Sequence, residues 1–148
     1  MSEKKVLLVK PDYGYYPVGL AYVMRELEVS NIPFDYVDTH LDKKNTIEGL
    51  LSTNDYLAVA TGGLSADANF YCELRKTVKA NNPKTPFILG GNVVKDTMYT
   101  NKGLLFEKDR FGIDFGVHGE VEGHMVPLLN KLIAIALTIS LLWAIFKR

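Results

Sequence analysis

The sequence predicts a doubly wound α/β fold, a five-stranded parallel sheet with helices on both faces. Short, almost wholly apolar runs alternate with segments whose apolar residues recur at i, i+3, i+4 and i+7. The first pattern is that of strands buried on both faces of a parallel sheet, the second that of amphipathic helices. Two of the apolar runs break at a pair of glycines: Tyr56-Leu57-Ala58-Val59-Ala60-Thr61 runs into Gly62-Gly63, and Pro86-Phe87-Ile88-Leu89 into Gly90-Gly91. Right-handed crossovers then distribute the helices to either side of the sheet.

The elements follow in order. Val6-Leu7-Leu8-Val9 is the first strand, and Leu20, Val23, Met24 and Leu27 mark the helix after it. Ile32-Pro33-Phe34-Asp35-Tyr36-Val37 is the second strand, with Pro33 at its mouth, where a missing N–H does least harm. Ile47, Leu50 and Leu51 give a short helix capped near Asn45 or Thr46. Residues 56–61 form the third strand. Tyr71, Leu74 and Val78 then line a helix with Ser65 or Asp67 as N-cap, and it stops at Asn81-Asn82-Pro83 because proline disfavours helical geometry in the residue before it. Residues 86–89 are the fourth strand, and residues 93–109 are expected to hold a short helix and a loop. Ile113-Asp114-Phe115-Gly116-Val117 is the fifth strand, closing at His118-Gly119-Glu120. Val121, Met125, Leu128, Leu129 and Leu132 make the last helical face.

At 148 residues and 47% apolar, the chain suits one domain with a real core. Its 17 basic and 17 acidic side chains cancel and form no basic stripe, so nucleic acid is not an expected partner. The single cysteine, Cys72, excludes an internal disulfide and any multi-cysteine zinc or iron–sulfur site within the chain. On its helix it reads as an inert, partly buried thiol. No signal-peptide-like apolar stretch follows Met1, so a cytoplasmic location is expected.

The composition divides at about residue 131, giving an α/β domain over residues 1–131 and an apolar tail over residues 132–148. Leu132 to Phe146 is fifteen residues without a charge, with Thr138 and Ser140 its polar members. As a helix it would be about 22 Å long, short of the roughly 30 Å of a bilayer's hydrocarbon core. Burial against a second copy or a neighbouring domain is the first expectation, membrane attachment the alternative.

The loop Lys10-Pro11-Asp12-Tyr13-Gly14-Tyr15-Tyr16-Pro17-Val18-Gly19 lacks the spacing of a phosphate loop, and no G-x-G-x-x-G occurs. The third strand ends at Thr61 rather than at an aspartate, which excludes a phosphorelay receiver. Tyr13, Tyr15 and Tyr16, held between Pro11 and Pro17, suit a lid over a large flat ligand, or else plain loop packing. Glycine lets a backbone approach a ligand closely, so the two glycine turns, placed at one sheet edge, read as a binding cradle. Thr61-Gly62-Gly63-Leu64-Ser65 adds hydroxyls and N–H groups near a helix N-terminus, fit for a phosphate or an amide-rich tail, or equally for a tight capped turn. His118, Gly119 and Glu120 fall on the same edge, with His118 read as a hydrogen-bonded turn residue. His40, His118 and His124 are not spaced as a metal trio.

Five pieces in this order resemble the N-terminal cobalamin-binding domain of cobalamin-dependent radical S-adenosylmethionine proteins. They are Pro17-Val18-Gly19-Leu20-Ala21-Tyr22, Asp35-Tyr36-Val37-Asp38, the 61–65 turn, Pro86-Phe87-Ile88-Leu89-Gly90-Gly91-Asn92, and Val117-His118-Gly119-Glu120-Val121-Glu122. The resemblance covers residues 5 to 131. It implies a flavodoxin-like fold with the corrin across the strand C-termini, its nucleotide tail toward Gly90-Gly91 and Thr61 to Ser65 lining the tail's channel.

Two departures qualify it. The D-x-H-x-x-G motif that carries a lower histidine ligand in other cobalamin proteins is missing, since Gly14 stands two positions after Asp12; no protein histidine on cobalt is expected. A C-x-x-x-C-x-x-C cluster motif cannot exist with one cysteine, so the chain is expected to bind cobalamin without being an enzyme, serving a radical S-adenosylmethionine domain elsewhere. The alternative is a cofactor-free flavodoxin-like interaction or regulatory domain that docks through its tail. Acid–base catalysis by His118 and Glu120 ranks third.

Overall fold

Five parallel strands alternate with five helices, and the computed structural model describes residues 4–12, 18–43, 45–107, 111–117 and 123–146. The strands are β1 (Val6–Lys10), β2 (Phe34–Asp38), β3 (Ala58–Gly62), β4 (Phe87–Gly90) and β5 (Phe115–Val117). The helices are α1 (Val18–Val29), α2 (Thr46–Thr53), α3 (Ala68–Asn81), α4 (Asn92–Asn101) and α5 (Met125–Phe146), with 3-10 turns at Ser65–Asp67 and Lys102–Leu105. The strand order is β2-β1-β3-β4-β5 and every pairing is parallel. This is a flavodoxin-like doubly wound sheet.

Alternating side-chain direction splits the core in two. Leu7, Val9, Val59, Phe87 and Leu89 face one side and meet Ile47, Leu50 and Leu51 of α2, Tyr71, Leu74 and Val78 of α3, and Val93 and Val94 of α4. Val6, Leu8, Ala58, Ala60 and Ile88 face the other, under Val23, Met24 and Leu27 of α1 and Met125 and Leu129 of α5. All five residues of β1 are buried, and up to Lys10 its sequence is a continuous apolar run, Val6 to Val9, rather than an alternating one. Each fully buried leucine, such as Leu27 or Leu129, contributes roughly 1.5–3 kcal/mol through removal from water.

Several boundaries differ from the sequence expectation for local reasons. β2 begins one residue after Pro33, whose carbonyl accepts the Val6 N–H at 3.0 Å. β3 begins at Ala58. Tyr56 stands ahead of it, buried, with its hydroxyl donating to Asp35 Oδ2 at 2.7 Å. β5 is only three residues long because Asp114 is engaged at the sheet's other end: its Oδ2 accepts the Phe87 N–H at 2.8 Å and the Lys79 ammonium at 2.6 Å. The described part of the 93–109 stretch, residues 93–107, holds most of α4 and a 3-10 turn, with Val93, Val94 and Thr97 buried. α3 stops at Asn81 as expected, although neither Asp67 before it nor Asn45 before α2 makes a side-chain cap bond.

The last helix runs through the boundary that composition suggested at residue 131. Met125 and Leu129 are buried, and Val126, Leu128, Leu132 and Ile133 pack against the same core layer. Beyond Ile133 the helix leaves the core, and Ile135, Leu137, Ile139, Leu141 and Leu142 are exposed. Among the described residues, no helix is long and apolar enough to cross a membrane.

Candidate ligand site at the strand C-termini

β1 and β3 are neighbours, yet the chain leaves β1 for α1 on one face and leaves β3 for α3 on the other. In open α/β sheets such a divergence is the usual position of a ligand crevice. On the β1 side stand Pro11, Asp12 and Gly19. Around Gly19 there is open space, with nothing within 4 Å of where a Cβ would lie. On the β3 side stand Gly62, Gly63 and Leu64. Tyr13, Gly14, Tyr15, Tyr16 and Pro17, expected as a lid, lie outside the described residues, as do His118, Gly119 and Glu120.

The glycine pairs do share one edge, and they are in register, Gly62 beside Gly90. A Cβ on Gly62 would overlap the Gly90 carbonyl, and one on Gly91 would come within 2.9 Å of Gly63 N. Gly91 also has φ +84°, a conformation open to glycine and strained for other residues. Gly63 O accepts the Val93 N–H at 3.0 Å, tying the β3 turn to the start of α4. The two turns are therefore pressed backbone to backbone. Their first partner is each other, and together they form a ledge free of side chains, with Gly91 and Asn92 exposed beside it.

Thr61 takes a different part from the one its sequence position suggests. It is buried, and its hydroxyl donates to Val9 O at 2.7 Å, so it joins β3 to β1 rather than offering its Oγ1 to a channel. The Leu64 carbonyl accepts the Tyr71 hydroxyl at 3.0 Å, which anchors the turn while the Leu64 side chain remains exposed. Ser65 opens the 3-10 turn leading to α3. At the end of that turn Asp67 Oδ2 is sealed from solvent and has no hydrogen-bond partner.

A polar cluster that no sequence motif marks lies at the same edge, over β1 and β2. Lys10 is 2% exposed, and its ammonium donates to Asp38 Oδ1 at 2.9 Å and to Pro11 O at 3.3 Å. Asp38 Oδ1 also accepts the His40 N–H at 2.9 Å. Burial pushes the Asp38 carboxyl upward, but the Lys10 hydrogen bond, the His40 and Leu41 N–H groups and the Lys10 charge outweigh it and hold it below its ordinary value of 3.8. His40 Nδ1 lies 2.9 Å from Asp12 Oδ1, linking the loop after β2 to the start of the loop after β1. The available signal was a charged residue directly after each of two strand-like runs, Lys10 after Val9 and Asp38 after Val37. It becomes a pair only through the register that sets Lys10 beside Asp38.

Elsewhere, an open polar groove between α2 and α3, lined by Asn45, Glu48, Ser52, Lys76 and Asn81, shares no residue with the glycine turns. Among the described residues there is no group of three or more His, Cys, Asp or Glu side chains able to hold a metal ion. No protein-family model matches the chain, and no curated protein matches it either.

Proposed function

We propose that the chain is a corrinoid-binding module, holding cobalamin over the C-terminal edge of its sheet, without a histidine ligand, for a reaction catalysed by a radical S-adenosylmethionine domain. The observation that carries this reading is the bare ledge at the switch point: Gly62, Gly63, Gly90 and Gly91 together project no side chain where a broad planar ligand would lie. The motif resemblance of the same turns adds to it.

The residues present fit such a group. A corrinoid is rimmed by carboxamides, and Asp67, half-buried at the end of the turn after β3, would accept from one once its Oδ2, sealed in this structure, is opened to the ligand. Asn92, exposed at the start of α4, offers a complementary amide. Leu64 supplies an exposed apolar contact, and Thr61 acts one step back by fixing β3 to β1. When bound, the corrinoid supplies cobalt-centred methyl or radical transfer; the chain's own residues hold and orient it. With one cysteine, the iron–sulfur chemistry must come from elsewhere.

Gel filtration of the protein after mixing with hydroxocobalamin tests the reading. Colour co-eluting with wild type, and lost in Gly19→Trp, which sets a large ring at the exposed start of α1 after β1, is the expected result. Protein that elutes colourless contradicts it. The second reading, a cofactor-free interaction domain, draws support from one observation: the turns need their glycines for each other even with no ligand between them. A colourless peak favours that reading.

A further inference from the structure

We propose that the projecting half of α5 inserts into the hydrocarbon of a lipid bilayer, attaching the domain to a membrane surface without crossing it. The inference stands independently of what the sheet edge binds. Its basis is the distribution of apolar surface around the helix beyond Ile133, the last residue packed on the core.

Five large aliphatic side chains there are 48–65% exposed: Ile135, Leu137, Ile139, Leu141 and Leu142. At about 100° per residue, Ile135, Ile139 and Leu142 fall in one arc of about 60°, while Leu137 and Leu141 lie about 200° and 240° round from Ile135. Two opposite sides of the helix are thus apolar. A helix apolar all round requires an apolar medium all round. A second copy laid along the Ile135 row would leave the Leu137 row bare. The three described side chains of the Ile135 row offer on the order of 100 Å² each, so two copies meeting along them would bury about 600 Å² there, half the roughly 1,200 Å² at which stable interfaces begin.

Thr138 points to the same medium. Its hydroxyl donates to the Ala134 carbonyl at 2.9 Å, one turn back in the same helix, so it asks nothing of the surroundings. From Ala134 to Phe146 the helix covers about 20 Å, less than the roughly 30 Å hydrocarbon core, which makes insertion without crossing the matching geometry. Lys131 is exposed at the base of this segment, and Lys147-Arg148 follow it in the sequence. Long cationic stems at both ends can stay at headgroup level while the apolar stretch lies submerged between them.

Flotation of the full chain with phosphatidylcholine vesicles, read together with the emission of Trp143, the single tryptophan, tests the proposal. The protein should float, and its emission should move to shorter wavelength when vesicles are added. Ile135→Glu/Ile139→Glu and Leu137→Glu/Leu141→Glu should each lower the bound fraction by roughly tenfold or more, because each pair buries charge in hydrocarbon. Neither row touches the core, so both variants should keep the wild-type unfolding midpoint, which separates lost binding from lost folding. Wild type that stays with the vesicle-free fraction overturns the proposal. So does sensitivity confined to one row, and a lipid-free dimer dispersed by one pair alone would assign the surface to a second copy.

Discussion

Gly62 and Gly90 are register partners whose backbones leave no room for a Cβ between them: an added methyl on Gly62 would overlap the Gly90 carbonyl. The obstacle is main chain, which cannot rotate aside. Gly62→Ala should therefore destabilise the fold by about 1–3 kcal/mol or more through overpacking. Gly19→Ala, with open space around it in α1, should instead stabilise by about 0.5–1 kcal/mol. Urea unfolding of both variants checks the contrast, and equal effects would refute the backbone contact.

Thr61→Val separates a structural role from a binding role. Losing the bond to Val9 O at a buried site should cost about 1–3 kcal/mol, since the carbonyl keeps only its other bonds. Corrinoid retention by the folded variant should be unchanged. A variant of normal stability that had lost binding would return Thr61 to the ligand channel.

The Lys10–Asp38 pair predicts an acid dependence. The folded Asp38 carboxyl lies below its ordinary 3.8, so the native state binds fewer protons than the unfolded chain in that range. Its contribution is complete above the unfolded value and is lost as pH falls through the folded one. Asp38→Ala removes the carboxylate beside a buried ammonium and should cost about 3 kcal/mol at neutral pH. The variant should also show a flatter stability profile below pH 5 than wild type. Parallel profiles would dismiss the pair.

Tyr56 predicts the alkaline counterpart. Burial, then the hydrogen bond and charge of Asp35, raise its phenol far above the ordinary 10.0. Above pH 10 the unfolded tyrosine ionises while the folded one keeps its proton, so stability should fall with rising pH. Tyr56→Phe should lose about 1.5–3 kcal/mol at neutral pH, where the bond to a carboxylate disappears, and less at high pH. An unchanged slope between pH 9 and 11 in the phenylalanine variant would contradict this.

The fold was legible because it is written in local patterns. Continuous apolar runs such as residues 6–9 and helical spacing such as Tyr71, Leu74 and Val78 survive without knowledge of partners. The same holds for the shared edge of the glycine pairs, since all strands of a parallel sheet point one way. What each edge residue does was less legible, because it depends on register. Thr61 reads as a ligand hydroxyl until Val9 is set beside it, and Lys10 reads as the first residue of a loop until Asp38 is set beside it. The glycines carry no side chain to reveal whether they approach a ligand or each other. The boundary read at residue 131 falls inside one continuous helix, Met125–Phe146, because apolar composition changes there while helical geometry does not.

Equilibrium dialysis against hydroxocobalamin, with corrin absorbance read on both sides of the membrane, tests the central claim most directly. The account predicts an excess on the protein side that saturates at one corrinoid per chain and vanishes in Gly19→Trp. Equal absorbance on the two sides with folded wild type would contradict it.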